Sequence, residues 1–472
     1  MTVATATGLL ATVDVAHETS ANRIGPRTDG ADLRVTTGTP LRLAILVGRE
    51  PANLAAARAA ALGACADIVL TLATNDRQSF IDRASLLRGA DPDAVLVVAS
   101  ARDQKGVLDL VEALRCAMAG RPRQPALLIA ADERMRAQVA LALAPLVIEA
   151  IPGPAAALAR DAIVSRLRGM RRPASDVVLR DEAVEAAARA LASADGRETL
   201  VLDVNGASTS LALASPAGAV IALHSHLGAG MNADRVVARA GLERVRRWVP
   251  RAVDAPALLE RVFNRARWPD AVPATTLTLA LEMALAREAV AHTLRDAERS
   301  GISVAPFRDA GAIVCTGRLA RFPRASQTAI VAIDALEPSG VARISREKPD
   351  ALIAAGAMGS RGIPDAANTI EPLAIVMTQW PKRPTLVTVT DEGGPVEQRV
   401  ARGAFLLIPT NGRVEVRVAG SPERVVADSV ALGVIVDARG RPLELPQRDA
   451  ERLPALARWH NALTALSAEG LT

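Results

Sequence analysis

Four short apolar runs, 41–47, 68–72, 94–99 and 126–130, alternate with four helix-length stretches, 54–62, 79–87, 107–118 and 132–144. That alternation limits the chain more than any other feature. Strands that are apolar throughout cannot form a sheet with one wet face. When each is followed by a helix, they form a parallel sheet whose crossover helices bury both faces. The class is therefore α/β. Asn53 and Ser79 are candidate helix N-caps, and Asp82, three residues beyond Ser79, completes the spacing of a capping box.

Outside that layer the pattern changes. Residues 1–40 are rich in Thr, Ala and Gly with little periodicity and are expected to be a loose lead-in. A helical connection fills 151–198 and carries Arg168, Arg171 and Arg172. A new unit, 199–383, opens with a strand at 200–204 that ends in the turn dipeptide Asn205-Gly206. It resumes at 208–214, turns at Pro216-Ala217-Gly218 and returns at 219–223, which is an antiparallel meander. Helical segments occupy 234–300, and another strand lies at 312–315. Strands at 386–389, 396–400, 405–408 and 414–418, with turns at Glu392-Gly393-Gly394 and Asn411-Gly412, make 384–472 a small β-rich unit closed by a helix near 456–466.

Composition removes several functional classes. The 472 residues, 50% apolar and 23% charged, are typical of a globular protein of about three domains. The best candidate for a membrane-spanning run, 139–148, is broken by Pro145 and stopped by Glu149. The N-terminal apolar stretch 8–13 has no basic residue ahead of it, so a secretory signal is not expected and the protein reads as cytoplasmic. Lys105, Lys348 and Lys382 are the only lysines among 56 basic residues, and none sits in a Walker phosphate loop. Cys65, Cys116 and Cys315 are scattered and form neither a disulfide framework nor a thiolate zinc site. Aromatic residues are 2% of the chain and tyrosine is absent, which leaves no stacking platform for nucleic acid despite a net charge of +5. No Gly-x-Ser-x-Gly elbow supports a serine hydrolase.

Three constellations carry possible chemistry. In the run Val201 to Ser210, an acidic strand end (Asp203) is followed by a Gly-containing hairpin bearing hydroxyls. Backbone N–H groups there can hold a phosphate, and the acid can position a metal-bound water. An ordinary hairpin satisfies the same pattern. The run Leu227 to Ala233 fits a loose G-x-G-x-x-A, but the strand before it belongs to a meander, so a plain Gly-rich turn before a helix is the simpler reading. His224 and His226 lack a third ligand nearby, and the nine arginines of 235–267 read as a solvated face or as a surface for an acidic partner.

Seven stretches in order resemble the glutamate mutase L (methylaspartate mutase accessory) proteins, members of the actin/Hsp70/sugar-kinase superfamily of nucleotide-binding folds. They are TGTPLRLAILVG (37–48), AARAAALGA (56–64), VLDVNGASTS (201–210), LGAGMNA (227–233), IVCTGRL (313–319), ALEPSGV (335–341) and VDARGRPL (436–443). The resemblance implies an actin-like fold with an inserted parallel α/β layer and a small C-terminal β unit. It also implies an accessory role, as a reactivating ATPase, towards adenosylcobalamin-dependent mutases. Carried over to this chain, it makes Asp203, Asn205, Gly206, Ser208, Thr209, Gly228 and Gly230 the phosphate-binding candidates. Thr316, Gly317 and Arg318 become the adenosine-binding candidates, and Asp203 the carboxylate that would hold Mg through water.

The departures shape the expectation. Asn205 stands where the family has glycine, Ser210 replaces a closing acid, His226-Leu227-Gly228 loses another carboxylate, and Arg318 fills a glycine position. A Cβ where the backbone must approach a phosphate costs closeness. The family's opening D-x-G-S-T-x-T has only a faint echo at 14–19, some 27 residues before the first strong strand, so the first lobe is expected to be incomplete. The expected protein is an accessory that has kept the scaffold and lost or weakened ATP/ADP binding. It would bind a protein partner such as a cobalamin-dependent mutase, and neither nucleic acid nor a membrane. An active reactivating ATPase and an α/β small-molecule enzyme using the 41–150 layer are the alternatives.

Overall fold

The computed structural model describes residues 2–4, 10–15, 31–151, 160–174, 177–347, 351–358, 370–378, 385–410, 412–419, 424–427 and 430–464. The stretch 16–19 and the turn residue Asn411, both singled out above, lie outside them.

The first forty residues contribute three strands, where the sequence led to a loose lead-in: β1 (Thr2–Ala4), β2 (Leu10–Val15) and β3 (Ala31–Thr36). β1 and β2 pair antiparallel, β2 and β3 parallel. The chain then leaves this sheet for the α/β layer. Its elements are β4 (Arg42–Val47), α1 (Pro51–Gly63), β5 (Asp67–Ala73), α2 (Phe80–Ala90), β6 (Ala94–Val98), α3 (Gln104–Met118), β7 (Ala126–Ala130), α4 (Glu133–Leu143) and β8 (Ile148–Ile151). All five strands are parallel in the order β5-β4-β6-β7-β8. Every residue of β6 is buried, as a central strand covered on both faces requires. The fifth strand, β8, was not evident in the sequence, because it is a four-residue edge with Glu149 in its middle.

Local chemistry sets the starts of two helices in this layer. Ser79 caps α2 by accepting from the Asp82 amide, while the Asp82 carboxylate accepts from the Ser79 amide, so two otherwise unpaired groups satisfy each other. Asp132 caps α4 through the Met135 amide. Asn53 is not the cap of α1. That helix begins earlier, with Pro51 in its first turn and Glu50 at the cap position, and Asn53 Nδ2 donates to Glu50 Oε2 at 3.1 Å. Proline suits this position because its missing N–H would have no helical acceptor.

After α5 (Arg160–Arg171), strand β9 (Val177–Leu179) returns to the first sheet and pairs parallel with β3. The whole α/β layer is thus an insertion between two neighbouring strands. Helix α6 (Arg180–Asp195), closed by Gly196 at φ +65°, leads into the main sheet. There β10 (Thr199–Val204), β11 (Thr209–Ala214) and β12 (Val220–Ser225) form the expected meander. Helices α7 (Ala233–Ala240), α8 (Leu242–Arg246), α9 (Ala255–Arg267), α10 (Thr276–Arg299) and α11 (Ala305–Arg308) follow. Then come β13 (Ala312–Gly317), α12 (Ala325–Leu336), β14 (Val341–Glu347), α13 (Ala351–Ala357) and β15 (Ile370–Thr378). β13 lies parallel to β10, so the meander is continued by a parallel strand. The period of two in β10 divides the core. Leu200 and Leu202 pack with Leu285 of α10 and Ile330 of α12, whereas Val201 packs with Val184 of α6 and Leu352 of α13.

The C-terminal region comprises β16 (Thr385–Asp391), β17 (Gly394–Val400), β18 (Phe405–Ile408), β19 (Val414–Val418), β20 (Arg424–Ala427), β21 (Gly433–Asp437) and α14 (Asp449–Thr464). It is not a single β unit. β17-β16-β19-β20 form their own sheet, while β21 and β18 extend the main sheet beyond β15. The apolar run Val434-Ile435-Val436 is buried on both faces, which only a position inside a large sheet provides.

Candidate functional site

β10 and β13 place the two candidate motifs side by side. In their parallel register Asp203 lies opposite Thr316, and Val204 opposite Gly317. The antiparallel register with β11 sets Ser210 beside Asp203. The Gly-rich loop of Gly228 and Gly230 lies across the hairpin, with Ala229 N donating to Asn205 O at 2.9 Å and Gly230 N to Gly206 O at 3.1 Å. A Cβ at Gly228 would collide with the Gly206 carbonyl group, so only glycine permits this approach. Gly317 has φ +66°, and a Cβ there would stand 2.5 Å from Asp203 Oδ1. All the candidate residues are therefore brought to the carboxyl ends of two adjacent strands.

Their polar groups, however, satisfy one another. Arg180, the first residue of α6, holds Asp203 by two hydrogen bonds, Nε to Oδ2 at 2.8 Å and Nη2 to Oδ1 at 2.9 Å. Both side chains are buried, 4% and 0% exposed. Asn205 Nδ2 adds a bond to Asp203 Oδ2 at 3.1 Å and another to Ser208 Oγ at 2.9 Å. Asn205 Oδ1 accepts the amides of Ala207 at 2.8 Å and Ser208 at 2.9 Å. Thr209 Oγ1 donates to Leu227 O at 2.7 Å. A hairpin that cradles phosphate must offer free backbone N–H groups. Here the Asn205 side chain takes two of them.

The polar groups of Thr316 and Arg318, the adenosine-binding candidates, are taken up in the same way. Arg318 Nη1 reaches Glu282 Oε1 of α10 at 2.6 Å, and its Nη2 donates to Pro269 O. Arg265 pairs with the other oxygen of Glu282 at 3.0 Å. The Thr316 hydroxyl donates to Glu347, whose second oxygen accepts the Leu352 amide at 2.9 Å. From Asp203 to Ser210 every residue is buried. A magnesium ion needs a carboxylate oxygen open to water, and Asp203 offers a carboxylate already neutralised by a guanidinium. The residues present do not fit Mg-nucleotide in this arrangement, and no metal-holding group of three His, Cys, Asp or Glu occurs among the described residues.

The four cavities described lie elsewhere. The largest of these, about 900 Å³, is lined by Thr199 and Ala312, at the opposite ends of β10 and β13, together with Arg189 and Asp195 of α6. At the carboxyl ends of the α/β layer, where the strand order reverses between β4 and β6 and such sheets bind ligands, polar groups also converge. Asp103 accepts the Thr74 hydroxyl and the Arg49 amide, and Glu50 accepts Ser100 Oγ at 3.2 Å. These groups bind each other, and none of the four cavities opens there.

Sequence reasoning missed Arg180, Glu282 and Glu347, the three side chains that pair with Asp203, Arg318 and Thr316. His224 is bonded to Glu185 at 3.0 Å, as a structural histidine would be. His226, 3% exposed, has no hydrogen-bond partner at Nε2 among the described residues, and burial pushes its pKa down to about 4.

No family model and no curated protein matches the chain. Among solved structures it is similar to the activator of the 2-hydroxyisocaproyl-CoA dehydratase from Clostridium difficile with bound ADPNP. The identity is 13%, the match covers 43% of this chain and 72% of that one, and the TM-score is 0.21. It is also similar to an exopolyphosphatase-like protein at 14% identity, over 49% of this chain and 55% of that one, with a TM-score of 0.17. Both are proteins of the actin/Hsp70-like ATPase fold. Likenesses this loose carry no argument about the site. The mixed α/β architecture with parallel sheets rests on the strand order itself, and no described helix is long and apolar enough to cross a membrane.

Proposed function

We propose that this chain is a non-catalytic accessory protein related to the glutamate mutase L proteins, with an actin-like scaffold and a nucleotide cleft closed by its own side chains. The Arg180–Asp203 pair carries this reading. It places a fixed cation where a nucleotide site would hold Mg²⁺, and it consumes the carboxylate that would orient the metal's water. The small sheet β1-β2-β3-β9 stands for the shortened first lobe, interrupted by the α/β insertion. What remains for the scaffold is partner binding, and the resemblance implies an adenosylcobalamin-dependent mutase.

One observation favours a second reading, an active reactivating ATPase: Asp203 and Gly317 still occupy adjacent strand ends in the register such a site needs. The test is size-exclusion chromatography of the full chain with a purified adenosylcobalamin-dependent mutase from the same organism, with and without Mg-ATP. Co-elution independent of nucleotide is expected. A complex that forms only with Mg-ATP would establish the ATPase reading, and no complex under either condition would remove the mutase as partner.

A further inference from the structure

A cavity of about 240 Å³ lies in the joint between the inserted layer and the main unit, away from the closed cleft. One wall is the end of α1 and the start of β5. The other is formed by the end of β12, by α7 and by the end of α10. Its charges do not balance. Asp67 is matched by Arg235 at 2.7 Å, and Asp296 by His292 and Arg299, each at 3.3 Å. Arg58 and Arg239 also line the cavity, and neither has a hydrogen bond or ion pair among the described residues. The same cavity is lined by the buried ring of His226, whose Nε2 has no hydrogen-bond partner among the described residues.

Arg58, Arg239 and Arg299 against Asp67 and Asp296 leave this cavity of about 240 Å³ with an excess of positive charge, even though the Arg239 charge also acts on Asp296, and such a lining suits a small multivalent oxyanion. Guanidinium groups bind phosphate by paired, charge-assisted hydrogen bonds. The volume admits phosphate itself or a short phosphate ester. We infer that the joint between the inserted α/β layer and the main unit binds a phosphate-class anion through Arg58 and Arg239. Arg58 comes from one unit and Arg239 from the other, so the anion joins them by its two contacts. It stabilises the assembly because it binds the docked form alone.

The test uses the full chain in phosphate-free buffer, titrated by calorimetry with inorganic phosphate and, in a second arm, glycerol phosphate. Saturable binding of either at about 1 mM or tighter is expected, and the tighter of the two tells whether the free or the esterified anion is preferred. Arg58→Ala and Arg239→Ala, both at solvent-reached positions, are each expected to weaken binding at least about tenfold while leaving the ligand-free melting temperature unchanged. Absence of saturable binding would overturn the inference, as would binding that neither substitution weakens. Asp203→Ala serves as the control for the closed cleft. If it abolishes phosphate binding while Arg58→Ala does not, the anion sits in the nucleotide cleft and this inference fails. If both bind as expected here and Mg-ATP is also bound, the inference stands and the closed-cleft reading fails.

Discussion

Arg180 and Asp203 face each other as a bidentate pair at 2.8 and 2.9 Å, one at the start of the helix entering the main sheet, the other at the end of that sheet's first strand. Both side chains are buried. A buried pair is costly to assemble and costlier to break, because the remaining partner is left as an uncompensated buried charge.

Removing either partner alone is therefore expected to destabilise the main unit by about 3–5 kcal/mol. Replacing both at once with apolar residues, Arg180→Met with Asp203→Leu, should cost less than either single change. Denaturant unfolding of the two single variants and the double variant measures this directly. Single variants within about 0.5 kcal/mol of the parent would show that the pair does not exist in solution.

Gly228 packs against the Gly206 carbonyl with no room for a methyl group. Gly228→Ala should push the two loops apart and cost about 1–3 kcal/mol, the usual range for overpacking. Hydrogen exchange should rise at Ala229 and Gly230, whose amides are bonded to the hairpin carbonyls. Unchanged protection there would contradict the loop stacking.

Arg171 ties three segments together. Its Nη1 donates to Ala64 O at 2.7 Å and to Asp181 at 3.0 Å, and its Nη2 to Thr37 O at 2.5 Å. With 1% of its side chain exposed, it is the peg that holds the inserted layer to α6. Arg171→Ala is expected to cost about 3–5 kcal/mol and to loosen the joint before the layer itself. Amide exchange should rise first at Thr39, which donates to Arg171 O, and last in β6.

Burial pushes His226 and His460 down to about 4, so the fold prefers both rings neutral. The unfolded chain takes up those protons near the ordinary value of 6.5. This contribution to stability is complete above about pH 6.5 and is lost as the pH falls towards 4, on the order of 1 kcal/mol or more per group. Glu185 acts lower. Burial raises its pKa, but His224 and Arg168 outweigh that and hold it at about 2, so its contribution fades between about pH 4.5 and 2. Melting temperatures from pH 7.5 to 4.5 should fall steadily, and His226→Gln should flatten the curve. A curve unaltered by that change would contradict the neutral, buried ring.

Much of the inserted layer was legible because its signals are local. The capping box of Ser79 and Asp82 lies within three residues, and the apolar runs are strand-length. What failed to show was weak or distant. β8 is an edge of four residues, and β1 to β3 lie in a stretch without periodicity. β18 and β21 could be assigned to the main sheet only through their pairing partners. The site divides in the same way. The motifs on β10 and β13 were readable from their own residues. The closing partners were not, since Arg180 is 23 residues from Asp203 and Glu282 is 36 from Arg318. No local pattern connects such positions.

The most direct measurement of the central claim is calorimetric titration of the full chain with Mg-ADP and Mg-ATP, with Asp203→Ala alongside. The expected result is no saturable binding tighter than about 1 mM, for the parent and the variant alike. Micromolar binding that Asp203→Ala abolishes would mean that Arg180 gives way to the nucleotide, and the closed cleft would be contradicted.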